Sequence, residues 1–176
     1  FLSLIRIQSW RSDLALWTLQ MERNPGHPLT FVNLGNAMKN RKQYEMALAT
    51  YDKGIELAKQ QQTLVVLSSL YHHKGNILGE QMGLWSEALE LYRQAVRIHA
   101  TNSIWLSIGN VHARDRAYDR ALLAFRKAEK LAPTDFNVLT SLAGALGGLH
   151  RFDEAIATID RAIAIAGDAV SESDEF

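Results

Sequence analysis

The stretch Tyr118-Asp119-Arg120-Ala121-Leu122-Leu123-Ala124-Phe125 decides the fold, because its frame of aromatic, alanine and aromatic recurs along the chain. Earlier copies read Tyr44…Ala47…Tyr51 and Trp85…Ala88…Tyr92, and a later one reads Phe152…Ala155…Ile159. The alanines are separated by 41, 33 and 34 residues. A small residue (Gly35, Gly75, Gly109 or Ala143) precedes each alanine by 12 or 13 positions. Small residues at those points let two helices approach closely, and the aromatics fill the space around the crossing. A period near 34 with this pattern marks stacked helix-turn-helix units. The chain therefore reads as a binding scaffold before any catalytic role is considered.

Working outward from that frame, the punctuation agrees with it. Pro25 follows helical pattern in Asn24-Pro25-Gly26, and Pro133 does so in Ala132-Pro133-Thr134. Proline ends a helix by lacking an amide proton and by restricting the residue before it. Pro28 can open the next helix, where the missing donor costs nothing, and Thr134 or Asp135 can cap the helix beginning near Phe136. First helices are expected near 28–41, 64–82, 102–115 and 136–149. Second helices are expected near 44–61, 85–98, 118–131 and 152–165. Ala121, Leu122, Phe125, Ala128 and Leu131 make one apolar stripe at helical spacing. No stretch alternates long enough for a strand, so the class is all-α.

Composition bounds the function. With 176 residues, 47% of them hydrophobic and 22% charged, the chain can bury a continuous core beneath a polar surface. Nineteen basic residues balance nineteen acidic ones, so no net field recruits nucleic acid or anionic lipid, and neither is expected as a partner. There is no cysteine, which removes disulfides, thiolate metal sites and a cysteine nucleophile. No run approaches the roughly 18 to 20 apolar residues that span a bilayer, so membrane insertion of this segment is not expected. Phe1–Ile7 is apolar but short, and the missing initiator methionine reads as a fragment or a processed form.

The pattern resembles the tetratricopeptide repeat. The third copy carries it best, with Trp105, Ile108, Gly109, Tyr118, Ala121, Phe125, Ala128 and Pro133 at the family's characteristic positions. The first copy has Phe31, Leu34, Gly35, Tyr44, Ala47 and Tyr51, with Gly54 where alanine is usual. The second has Tyr71, Gly75, Trp85, Ala88, Tyr92 and Ala95. The fourth keeps Phe152, Ala155 and Ala162 but replaces the early glycine with Ala143. The resemblance implies a right-handed α-solenoid, with a partial repeat over 1–27, four repeats over 28–166 (28–62, 63–101, 102–135 and 136–166) and a disordered acidic tail over 167–176. Two departures stand out. The interval from Gly35 to Gly75 is 40, which predicts lengthened helices around Lys59–Val66, and an extra residue between Gly75 and Ala88 is expected in the Gly83 turn.

Upstream, Trp10-Arg11-Ser12…Leu16-Trp17…Asn24-Pro25 looks like the second helix of an incomplete copy. Continued to Asn33-Leu34-Gly35, it also resembles the junction before the repeats of multi-spanning membrane glycosyltransferases. That resemblance implies an acceptor-presenting accessory domain outside the cytoplasm, with Phe1–Ile7 as the stub of a membrane span. A free-standing repeat protein would instead be cytoplasmic.

The family's ligands usually lie on a concave face formed by the first helices. Projected onto this chain, that face holds Leu29, Val32, Asn36, Lys39 and Asn40, then Ser69, His72, Asn76, Gly79 and Glu80. It continues with Ser103, Leu106, Asn110 and Arg114, then Asn137, Thr140, Gly144, Gly147 and Gly148. Asn36, Asn76 and Asn110 each follow a repeat glycine, and an amide offers both donor and acceptor to an extended peptide backbone. An asparagine after glycine is equally compatible with a merely solvated position. Co-chaperone members that grip a C-terminal carboxylate place lysine one turn before the first groove asparagine. Val32 stands there instead, which argues against that clamp and leaves acidic peptides as ligands through Lys39 and Arg114.

Other motifs resolve to bland readings. His72 and His73 are adjacent, hence about 100° apart on a helix, and no third ligand completes a metal site. Gly144-Ala145-Leu146-Gly147-Gly148 sits inside a helical repeat rather than after a strand, so no phosphate loop is implied. No cofactor and no catalytic set emerges. The expected function is a protein-interaction scaffold holding a peptide or partner segment. Ile156, Ile163 and Ile165 sit where a following helix would ordinarily pack, so they form a candidate self-association patch and a homodimer through the terminal repeats is expected.

Overall fold

The structure, a computed structural model, describes residues 13–173, with side chains described as far as Gly167. All of its regular structure is helical among these residues, in two compact units, Phe1–His99 and Ala100–Phe176. The first unit holds α1 (Asp13–Arg23), α2 (Pro28–Asn40), α3 (Tyr44–Gln60), α4 (Leu64–Asn76) and α5 (Trp85–Ile98). The second holds α6 (Asn102–Arg114), α7 (Tyr118–Leu131), α8 (Phe136–Gly148) and α9 (Phe152–Ser173). Short turns join α2 to α3, α6 to α7 and α8 to α9 as tightly packed hairpins, and α4 pairs likewise with α5. Within the units α1 packs on α2, α3 on α4, and α7 on α8.

The recurring small residue works by making room for a ring. A Cβ at Gly35 would lie within 2.7 Å of three ring atoms of Tyr51, and one at Gly109 within 2.8 Å of three ring atoms of Phe125. At Gly75 it would stand 2.6 Å from the Tyr92 ring. Optimal carbon contacts are ~3.5–4.0 Å, so any side chain there forces the hairpin apart. The fourth hairpin keeps the register with Ala143 at the small position and Ile159 in place of the ring, but Ile159 is 43% exposed. Tyr51, Tyr92 and Phe125 are in consequence among the most deeply buried large side chains of the protein.

Each hairpin turn places one residue in the left-handed region, five positions before the repeat alanine: Lys42 (φ 61°), Gly83 (φ 72°), Arg116 (φ 57°) and His150 (φ 59°). Only the second uses glycine. Helix starts are capped where the sequence suggests. Asp135 accepts from the amides of Asn137 (2.9 Å) and Val138 (3.3 Å), while its other oxygen accepts from Asn102 Nδ2 at 2.9 Å. Thr101 Oγ1 accepts from the Ile104 amide at 3.3 Å. Pro28 opens α2. Ser68, the one buried serine among the described residues, is satisfied across the α4–α5 hairpin by the carbonyls of Ala95 (3.0 Å) and His99 (2.9 Å).

Several expectations need correction. α3 does carry the predicted lengthening, with 17 residues against 14 in α5 and α7. The extra residue of the second copy, however, enters before the Gly83 turn. It widens the end of α4 into a π-helical turn over Ile77–Gln81, where the Met82 amide reaches back five residues to the Ile77 carbonyl. Inserting one residue into a helix costs less as a local widening than as a break in the ladder. α9 continues to Ser173 rather than ending near 165, so the first part of the acidic tail is helical. A lone internal glycine such as Gly167 costs only ~1 kcal/mol, and no proline follows to stop the helix. Of the apolar stripe on α7, Leu131 is exposed. The expectations for Phe1–Ile7 and Trp10 fall outside the described residues.

Candidate functional site

In the first unit α2 and α4 lie side by side, and their shared register brings most of the expected groove residues onto adjoining surfaces. Asn36 and Asn76 repeat one arrangement. The Tyr51 hydroxyl donates to Asn36 Oδ1 at 2.7 Å, and the Tyr92 hydroxyl donates to Asn76 Oδ1 at 2.8 Å. Each tyrosine comes from the second helix of its own hairpin and reaches past the glycine that makes room for it. One lone pair of each amide oxygen is thereby engaged within the fold, which fixes the orientation of the side chain and of its two N–H donors. Lys39 is half-buried and Asn40 exposed, on the last turn of α2.

His72 does not stand open in the groove. It packs edge-on to Tyr92 at 5.7 Å, while His73 stacks on Tyr51 at 6.1 Å and the two imidazoles are 5.6 Å apart. Burial, together with the neighbouring imidazole and the Lys39 charge, pushes His72 down to about 4; burial and Lys39 do the same to His73. Both rings are therefore neutral near pH 7 and wedge the two tyrosines in place. Val32, which the projection placed in the groove, belongs to the core.

In the second unit the ladder changes character. Asn110 is exposed, and Phe125 occupies the place of the tyrosine, so no hydroxyl orients the amide. The corresponding residue of α8 is Gly144, whose Cβ would meet nothing within 4 Å, and Gly147 is equally open. Gly148 is not: a Cβ there would strike the Tyr118 ring at 2.7 Å. Thr140 is exposed but donates its hydroxyl back to the carbonyls of Phe136 (2.9 Å) and Asn137 (3.1 Å). Leu106 packs partly against the core of Ala121, Leu122, Phe125, Leu142 and Leu146, and Arg114 is exposed at the end of α6. The second unit by itself presents an exposed amide at Asn110 and open backbone at Gly144 and Gly147.

Two features went unread in the sequence. One is the tyrosine hydroxyl bond, whose signal is available in retrospect: Tyr51 and Tyr92 occur where Asn36 and Asn76 follow the glycine. The other is a cavity of about 500 Å³ between α1, α2 and α3, lined by Met21, Pro25, Phe31, Leu34, Met38, Met46, Ala49, Thr50 and Lys53. Three of the chain's four methionines gather there, within 26 residues of sequence. Of the self-association residues, Ile156 and Ile163 are exposed and Ile165 is half-buried. Among the described residues no helix is long and apolar enough to cross a membrane, and no group of three His, Cys, Asp or Glu could hold a metal ion.

Tetratricopeptide-repeat models match residues 30–61 and 80–136, together about half of the chain. No curated protein matches the sequence significantly. Among solved structures, the chain is similar to YrrB, a tetratricopeptide-repeat protein with an unusual peptide-binding site. The identity is 21% with a TM-score of 0.68, over 85% of this chain and 74% of that one. It is also similar to a MamA fragment from Desulfovibrio magneticus RS-1, at 17% identity and a TM-score of 0.70, over 94% and 95%. A third likeness is to the TPR2AB domain of yeast Sti1 in complex with pHSP90, at 20% identity and a TM-score of 0.50, over 86% and 69%. These likenesses show the fold. None of them supports the resemblance to a glycosyltransferase junction.

Proposed function

Because this chain belongs to the tetratricopeptide-repeat family, we propose that it is a non-catalytic interaction module that holds an extended segment of a partner protein against the first helices of its hairpins. The observation that carries this reading is the pair of oriented amides. The Tyr51 and Tyr92 hydroxyls each engage one lone pair of the Asn36 and Asn76 oxygens, which orients two sets of N–H donors on α2 and α4, the first of which also carries Lys39. Such a surface favours backbone carbonyls and acidic side chains over donors. Preformed donors also lower the ordering cost of binding, since the receptor side chains are already fixed. The likeness to YrrB, described as having a peptide-binding site, supports this reading.

Selection of displayed random peptides on the 176-residue chain tests it. Selected peptides should be rich in Asp and Glu, and an Asn36→Ala/Asn76→Ala variant should bind them at least tenfold more weakly. Tyr92→Phe should weaken binding several-fold while leaving the helix content unchanged, because the amide loses its orientation and nothing else. Selected peptides that bind the double variant as tightly as the parent would place the ligand elsewhere.

A further inference from the structure

The cavity between α1, α2 and α3 is where the first hairpin departs from the packing of the fourth. The two hairpins share one register. Residues 108 positions apart correspond, as Ala47 does to Ala155 and Pro25 to Pro133, and α2 and α8 are both 13 residues long from the corresponding starts Pro28 and Phe136. In the fourth hairpin the corresponding positions are closed. Leu139, Leu142 and Leu146 of α8 are at most 4% exposed, and two ion pairs join α7 to α9: Arg161 with Glu129 at 2.9 Å and Arg126 with Glu154 at 3.8 Å.

In the first hairpin Met21 stands in the place of Glu129, Met46 in that of Glu154 and Thr18 in that of Arg126. Of the four charged places only Lys53, the counterpart of Arg161, keeps its charge. Where the fourth hairpin is cross-linked, the first holds a cavity of about 500 Å³, inside the ~300–1,000 Å³ range of small-molecule sites. The ends of the chain do not account for the opening. Described helices bound it, and Met21, its lining residue on α1, lies on the last turn of that helix, ~12 Å along the axis from Asp13.

The lining says what kind of molecule fits. Met21, Met38 and Met46 are unbranched and polarizable, so they adapt to a flexible apolar ligand. The Thr50 hydroxyl is engaged inside the fold, 2.7 Å from the Met46 carbonyl and 3.3 Å from Met38 Sδ. Lys53 is the one charged residue of the lining; it is exposed and forms no ion pair among the described residues. Arg161 has the Glu129 carboxylate, whereas Lys53 has a methionine in that place. A ligand bringing its own carboxylate supplies the missing partner through a charge-assisted hydrogen bond, and an unbranched apolar body takes the methionine-lined space out of water.

We propose that this cavity binds a medium-chain carboxylate, its tail among Met21, Met38 and Met46 and its head at Lys53. The site uses neither Asn36 nor Asn76, so this reading and the peptide-binding one can fail separately. Decanoate at neutral pH, below its micellar concentration, is the probe. Calorimetry with the 176-residue chain should show one decanoate per chain, bound at least tenfold more tightly than decan-1-ol or decyltrimethylammonium. Carbon-13 labelling of the methionine methyls locates it: the signals of Met21, Met38 and Met46 should shift saturably while that of Met82, the fourth methionine, which is outside the lining, stays still. Lys53→Met should lower decanoate affinity to that of decan-1-ol with unchanged circular dichroism. Ala49→Phe, at an exposed lining position, should fill the space and remove binding of all three probes. Equal affinity of the parent for decanoate and decan-1-ol, a Met82 shift as large as the other three, full decanoate affinity in Lys53→Met, or no saturable binding by the folded chain overturns the proposal.

Discussion

Replacing Gly109 by alanine should damage the third hairpin, and replacing Phe125 by isoleucine at the same time should repair part of that damage. A Cβ at Gly109 falls within 2.8 Å of three ring atoms of Phe125, so the ring must move by ~1 Å to restore ordinary contact. Overpacking of this kind costs ~1–3 kcal/mol. Alanine in a helix interior returns ~1 kcal/mol of propensity relative to glycine, which leaves a net loss of ~0–2 kcal/mol. At ~2–4 °C per kcal/mol for a chain of this size, the melting temperature should fall by up to roughly 8 °C. Phe125→Ile alone removes a ring that is 1% exposed and leaves a void beside the glycine, costing ~2–3 kcal/mol. In the double variant the new methyl takes up part of the space the ring vacated. Urea denaturation of all four proteins should then give a favourable coupling of ~1–2 kcal/mol, within the range seen for touching residues. Additive effects within ~0.5 kcal/mol, or a Gly109→Ala protein more stable than the parent, would show that glycine is not there for the ring.

Acidification should weaken the first unit between about pH 6.5 and about pH 4. His72 and His73 are held near 4 against an ordinary 6.5, so the unfolded chain takes up protons first and stability drops as pH falls through that window. One imidazole shifted this far corresponds to ~3 kcal/mol, and two coupled neighbours contribute less than twice that; urea midpoints from pH 7 to pH 4 should show the slope, and His72→Gln/His73→Gln should flatten it. Arg116→Gly should stabilise the α6–α7 turn by ~0.5–1 kcal/mol, because glycine occupies the left-handed region without a Cβ penalty; no rise in the urea midpoint would count against that strain. Asp135→Ala should cost ~1–2 kcal/mol through loss of the α8 cap, read as faster amide hydrogen exchange at Asn137 and Val138; unchanged exchange there would mean the cap is idle.

The hairpins were legible because their rule is local and steric. A ring on one helix needs a missing side chain on the other, and that requirement leaves glycine or alanine at a set distance before each repeat alanine. Features that depend on cooperative hydrogen bonding or on rotamers were not legible. The inserted residue near Gly83 looked like turn material, yet the ladder absorbed it one turn earlier as a π-helical turn at Ile77–Gln81. Gly167 looked like a stop, but helix termination needs more than one weak residue, and α9 runs on to Ser173. Helical projection put Val32 and His72 in the groove, because an angle on a wheel does not say how far a neighbouring helix leans over. Projection also missed what distinguishes Asn36 and Asn76 chemically: a tyrosine hydroxyl 15 or 16 residues away donates to each amide oxygen. That bond depends on the ring reaching through the gap left by glycine, which only the packed hairpin displays.

The most direct test of the account is nuclear magnetic resonance of the ¹⁵N-labelled chain titrated with a selected acidic peptide. Partner recognition through the first helices predicts that the side-chain Nδ2 resonances of Asn36 and Asn76 shift on binding, together with backbone amides of α2 and α4 near Lys39. The Tyr92→Phe protein should lose the Asn76 shift first. A saturable titration whose perturbations stay on α3 and α5, or cluster around the Met21–Met38–Met46 cavity while Asn36 and Asn76 remain still, would contradict the account.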